Sequence, residues 1–255
     1  MARFGLNEWQ AEQLRLTLFP VPGAVERQAR WWDALTGAPP EEVNTNPRRG
    51  TGMVSGSFGP GKLVLGLENE RIDWLLVPRD LDVQDTDENE FPHTGSFPDV
   101  LATFSGLMER FLQLEGVPDV ARLAFGAVLK HPEVDHAAGY ARVSDYTPAR
   151  VSPSWTDFLI QINTPIPSRI GIDGLQLNRL SKWSIALQRR ITVLAIVGGA
   201  PQQTLGPPLI SFRLELDINT APTFDGPLPR TRVLDIYREL VSLGGDLATS
   251  GIPAP

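Results

Sequence analysis

The chain has 255 residues, 42% of them hydrophobic, which is ordinary for a globular protein and suits one large domain or two small ones. Cysteine is absent, which excludes a disulfide scaffold, a thiolate nucleophile and a sulfur-ligated zinc site. The net charge of −7 argues against a general nucleic-acid binder, because phosphate contacts need clustered cations, although residues 121–213 are basic overall while 1–120 are acidic.

The first residues lack a long apolar stretch and do not read as a signal peptide. The longest apolar run, near residues 191–200, is too short to span a bilayer, so a cytoplasmic protein with no membrane partner is expected. Leu14, Leu16 and Leu18 alternate up to Pro20, which predicts a first strand. Residues 23–36 read as a helix with Val25, Ala29, Trp32 and Leu35 on one stripe, followed by a Pro-, Asn- and Arg-rich loop. Three short strands are predicted at 52–58, 63–67 and 72–77, separated by turns. Residues 79–95 are acidic and read as a linker. A helix capped by Ser96 follows, with Phe97, Leu101, Phe104, Met108, Phe111 and Leu112 on its apolar face.

From residue 117 the pattern is nearly all strand. Residues 120–130 and 138–147 read as a hairpin joined by a polar turn, 155–163, 175–187 and 191–197 as three more strands, and 209–219 as the last. In that last strand Phe212, Leu214, Leu216 and Ile218 alternate strictly with Arg213, Glu215, Asp217 and Asn219. A closing helix carries Val233, Leu234, Ile236, Tyr237, Leu240, Val241 and Leu243. The fold class is therefore α+β: helices on largely antiparallel sheet, ordered β-α-β-β-β and then α-β(about six)-α. The divisions are an N-terminal unit at 1–78, a linker at 79–95 and a C-terminal unit at 96–255, packed as one body. An internal duplication is conceivable, but no sequence repeat supports it.

Candidate chemistry is sparse. Residues 56–62 read G-S-F-G-P-G-K, the spacing of a phosphate-cradling loop, but Leu63 stands where the hydroxyl for magnesium is needed and a strand follows instead of a helix. A hairpin turn is the better reading. His131, Asp135 and His136, with Glu133, fall in the predicted polar turn and are weak metal candidates, without the helical spacing that would bring two of them together. The acidic run 80–90 lacks the glycine and terminal glutamate of a calcium loop. No nucleophile-elbow motif is present, and Glu215 and Asp217 read as solvent-facing. No cofactor is expected. For partner binding, Trp31 and Trp32 stand about 100° apart on a helix; either one sits at the edge, available to a partner with Arg48 and Arg49 framing it, or both are half-buried beneath the loop. Arg179, Lys182, Arg189 and Arg190 make a basic cluster on neighbouring strands, suited to an acidic surface or simply to the exposed face of a sheet.

Three places carry a family likeness: Arg71-Ile72-Asp73-Trp74, the helix at 97–114 leading into Val120-Ala121-Arg122-Leu123, and Leu216-Asp217-Ile218-Asn219 before the terminal helix. In these the chain resembles a sporadically distributed family of uncharacterised bacterial proteins of similar length. It departs from that family at Gly126-Ala127-Val128-Leu129 and in lacking a histidine in the last helix. The resemblance implies the α+β layout, no catalytic residues, and a mobile or antiviral-defence context. The favoured expectation is a non-catalytic protein-binding or assembly subunit. The alternatives are an enzyme with a dispersed site using His131 or His136, and a nucleic-acid or nucleotide sensor using the basic second half.

Overall fold

The computed structural model describes residues 3–21, 28–46, 48–68, 70–79, 90–152, 154–194 and 202–253. Among these, four helices and ten strands follow in the order β1 (Gln10–Pro20), α1 (Gln28–Thr36), β2 (Glu42–Asn46), β3 (Thr51–Phe58), β4 (Gly61–Glu68), β5 (Arg71–Pro78) and α2 (Phe97–Gln113). The second half continues with β6 (Val120–Glu133), α3 (His136–Tyr146), β7 (Leu159–Asn163), β8 (Ile166–Pro167), β9 (Gln176–Leu194), β10 (Gln202–Thr220) and α4 (Val233–Ser250). All the strands join one antiparallel sheet, β2-β3-β4-β5-β1-β6-β10-β9-β7, with β8 also on β9. The α+β class and the antiparallel sheet are as the periodicities predict.

The helices lie on one face. Apolar residues of the alternating strands point to them: Leu14, Leu16 and Leu18 on β1, Ile72, Trp74 and Leu76 on β5, and Phe212, Leu214, Leu216 and Ile218 on β10 are all buried. At one end of this layer Trp9, Tyr146, Trp183 and Phe212 pack ring against ring, tying both halves of the chain together.

Several elements differ from the sequence expectation. The predicted strand at 138–147 is helix α3. Asp135 caps it by accepting a bond from the Ala138 amide at 2.8 Å, and Gly139, Tyr140, Val143 and Tyr146 form its buried stripe. Gly139 lets the helix lie on β9, for a Cβ there would come within 2.7 Å of Ile185. The two strands predicted at 175–187 and 191–197 are one, β9, and the loop after α1 contains strand β2. The start of the predicted first helix falls at residues 22–27 and most of the acidic linker at 80–89, both outside the described residues. The end of that linker is held to β1: the Thr94 amide donates to the Ala11 carbonyl and the Ala11 amide to that of Gly95. Residues 59–60 form the β3–β4 turn, with Gly59 at φ 54°.

The two halves repeat one topology. Each is a first strand, a helix, a meander whose last strand returns to pair with the first, and a closing helix; the first half adds the edge strand β2. The buried positions of the closing helices coincide at one constant spacing: Phe97 with Val233, Val100 with Ile236, Phe104 with Leu240, Leu107 with Leu243, Met108 with Gly244, Phe111 with Leu247 and Leu112 with Ala248. The ends of α1 and α3 match too. Thr36 Oγ1 donates to the Trp32 carbonyl and accepts from the Ala38 amide, just as Thr147 Oγ1 does with Val143 and Ala149. Carried back along the chain, the Thr36–Thr147 equivalence matches Arg15 with Gly126, which are also ladder partners in the β1–β6 pair. A residue that is both equivalent and opposite to another lies on a dyad, so a pseudo-two-fold axis pierces the sheet there. The repeat divides the chain after α2, between residues 114 and 119, rather than within 79–95.

The matched core positions carry a stability prediction. Phe104→Ala should cost about 3–5 kcal/mol and its counterpart Leu240→Ala about 2–5 kcal/mol. Exposed neighbours such as Glu115→Ala should stay within about 0.5 kcal/mol; urea denaturation of the full chain measures all three.

Candidate functional site

The sheet face away from the helices is formed by the other half of each alternation. Across its centre, ladder partners set Asp73, Thr17, Ala124, Asn219 and Asn178 in one row, and Leu75, Arg15, Gly126, Asp217 and Leu180 in the next. Ion pairs flank these rows on both sides. Arg71 Nε lies 2.6 Å from Asp73 Oδ2, and Thr17 Oγ1 donates to Asp73 Oδ1 at 2.5 Å. Across the dyad Arg213 Nη1 lies 2.5 Å from Glu215 Oε1, which Lys182 Nζ also meets at 2.9 Å. The two Arg-x-acid pairs, Arg71/Asp73 and Arg213/Glu215, are matched by the repeat. At the sheet's other end Lys130 is 1% exposed, with its Nζ 2.9 Å from Glu12 Oε2, 3.1 Å from Gln188 Oε1 and 5.1 Å from the Phe91 ring centre. Burial there lowers its pKa, against the pull of Glu12.

Shallow depressions of about 160 and 290 Å³ adjoin one another on this face, sharing Arg15 and Asp217. Aliphatic side chains reach the same surface: Met53, Val64, Leu75, Val128, Leu180 and Leu159 stand from β3 to β7, all half-buried or exposed. The arrangement suits recognition, with fixed guanidinium groups set among apolar contact area.

The residues singled out from the sequence are distributed otherwise. Trp31 and Trp32 are 4% and 2% exposed, which corrects the expectation of an edge tryptophan. Helix α1 packs against α2 and against the sheet together, so side chains 100° apart are both covered: Trp31 meets Phe111 of α2 edge-on at 5.5 Å, and Trp32 stacks on Trp74 of β5 at 6.0 Å. Arg48 and Arg49 are exposed in the β2–β3 turn and frame no tryptophan patch. The basic cluster is dispersed along the single strand β9. Arg179, opposite Ile218, faces the helices and donates to the Thr164 carbonyl at 3.0 Å, with its pKa lowered chiefly by burial. Lys182 faces the open side and Arg189 is exposed where β9 and β10 overhang the end of β6; the Arg190 side chain lies outside the described residues.

His131 is on β6, not in a turn. Its ring stacks on Phe4 at 3.5 Å, and its Nδ1 lies 3.2 Å from Glu133 Oε1. Asp135 is occupied as the α3 cap, and His136 stacks on Tyr140 one turn into that helix. These groups therefore do not converge, and among the described residues no cluster of three or more His, Asp or Glu could hold a metal ion. Sequence reasoning missed Arg15, Arg71 and Arg122. Their signal was the polar half of each alternation, meaningful only once the strand order is known.

No protein-family model, curated protein or solved structure matches the chain. Among the described residues no helix is long and apolar enough to cross a membrane.

Burial, partly opposed by Glu133, holds the His131 pKa below its ordinary value of 6.5. The unfolded chain then takes up this proton at higher pH than the folded one, so stability is full above that value and falls as pH drops through it. His131→Phe keeps the stack on Phe4 and removes the titration. Its melting temperature should fall less than the wild type's between about pH 7.5 and pH 5.5, by about 2–4 °C per kcal/mol. Equal falls in the two proteins would refute the assignment.

Proposed function

We propose that the chain is a non-catalytic protein-binding or assembly subunit that engages its partner through the helix-free face of the sheet. The observation that carries this reading is the composition of that face. A solvated sheet face is ordinarily polar, whereas here aliphatic residues from Met53 to Leu159 stand among arginine–carboxylate pairs across the sheet. At a strand spacing near 4.8 Å the surface is about 40 Å wide, enough for an interface of standard size. Its charges are of both signs: Arg15, Lys62, Arg71, Arg122, Lys182 and Arg213 stand among Glu12, Glu42, Glu68, Asp73, Glu215 and Asp217, with Lys130 buried against Glu12. The complementary partner surface is apolar at its centre with paired charges of both signs around it. The resemblance to a sporadic bacterial family supports placing this assembly in a mobile or antiviral-defence system.

Leu75 is half-buried at the middle of this face, opposite Arg15. Leu75→Glu should abolish stoichiometric capture of the partner, a loss of about tenfold or more in affinity, while Arg110→Glu, on the exposed side of α2, leaves it intact. Affinity capture followed by light scattering reads both. A strictly monomeric protein that captures nothing, or capture indifferent to Leu75→Glu, would overturn the reading.

A further inference from the structure

On the helix-free face Phe19 of β1 stands between arginines from the two adjacent strands. The guanidinium carbons of Arg71 on β5 and Arg122 on β6 lie 6.0 and 4.9 Å from its ring centre. Arg15, four residues earlier on the same face of β1, closes a third side. It lies flat on Gly126, where a Cβ would come within 3.1 Å of its Nε. Ala124 lines the same depression, and small side chains at 124 and 126 leave about 160 Å³ open above β6.

The three cations are unequally neutralised. Arg71 is held by Asp73. Among the described residues Arg15 has one ion-pair partner, Asp217 at 3.7 Å, and its buried Nε has no hydrogen-bond partner. Arg122 meets neutral acceptors at long range, the Thr220 carbonyl at 3.3 Å and Asn219 Oδ1 at 3.4 Å, and among the described residues it has no carboxylate partner. Asp217, with a side chain 43% exposed, is the acid in the lining of this depression and accepts from Asn219 Nδ2 at 3.0 Å. Like charges gathered in a partly desolvated hollow repel one another, and a planar or tetrahedral oxyanion meets guanidinium forks with paired hydrogen bonds.

We propose that this depression binds an oxyanion, the carboxylate or phosphate group of a small ligand. Arg122 and Arg15 are its donors, and Asp217 is the internal anion it displaces from Arg15. The volume admits a phosphate or a short dicarboxylate, and a whole nucleotide would project beyond it. The site lies on the same face but does not depend on the protein-binding reading, which is tested at Leu75.

The full chain titrated at constant ionic strength with sodium phosphate, with succinate and with chloride, and followed by calorimetry and by the arginine Nε–H resonances, decides the matter. One of the two oxyanions should bind saturably at one per chain, and which of them does so assigns phosphate or carboxylate. Arg122→Gln should weaken that binding at least tenfold, Asp217→Asn should tighten it several-fold, and Arg110→Gln, on the exposed side of α2, should leave it unchanged. Responses to phosphate and succinate no different from chloride would overturn the proposal. So would an affinity indifferent to Arg122→Gln in a protein that still melts cooperatively. If Arg122→Gln fails to fold, the wild-type titration and the direction of the Asp217→Asn change decide in its place.

Discussion

The antiparallel pairing of β1 with β6 joins the two halves of the chain, and its ladder runs from Gln10 opposite Lys130 to Pro20 opposite Val120. Each strand keeps a second neighbour from its own half, β5 for β1 and β10 for β6, so the whole sheet is indexed to this one seam. A slip by one residue would put Arg15 and Thr17 beneath the helices and Leu14, Leu16 and Leu18 into water. The apolar half of the alternation thus determines the register. The register in turn determines that Arg15 meets Gly126, and that the guanidinium groups of three strands gather at the middle of the open face.

The elements legible from the sequence were those whose burial follows from one face alone. The alternation in β1 and β10 and the stripes of α2 and α4 needed only the knowledge that one side is covered. What stayed hidden depended on a second neighbour. The segment that became α3 has Tyr140, Val143 and Tyr146, residues at home in a strand; its helix depends on the Asp135 cap and on the close approach of Gly139 to Ile185. Trp31 and Trp32 cannot both be covered by a sheet alone, yet α1 has α2 beside it, and both rings are buried. The repeat escaped notice because it preserves burial and not identity, with Met108 answered by Gly244 and Trp32 by Val143. Arg213, Glu215 and Asp217 were visible as polar, but their assembly with Arg71 and Asp73 depends on meanders that bring β5 and β10 back to the first strands.

The pseudo-dyad also explains why the two faces of the sheet have different characters. On the helix side both halves face the same requirement, apolar volume beneath a helix, and equivalent positions stay apolar. On the open side the equivalents on β1 and β6 have diverged: Thr17 answers Val128, Phe19 answers Lys130 and Arg15 answers Gly126. At the axis itself a symmetric choice is costly. Ladder partners stand about 5 Å apart, and two arginines there would oppose like charges, while two glycines would leave neither charge nor contact. One arginine against one glycine resolves this, because the missing Cβ lets the long side chain lie flat and extend to Asp217 on the next strand but one. A symmetric scaffold has thereby acquired a single, directional cation at its axis, where the open face departs furthest from the symmetry kept on the covered side.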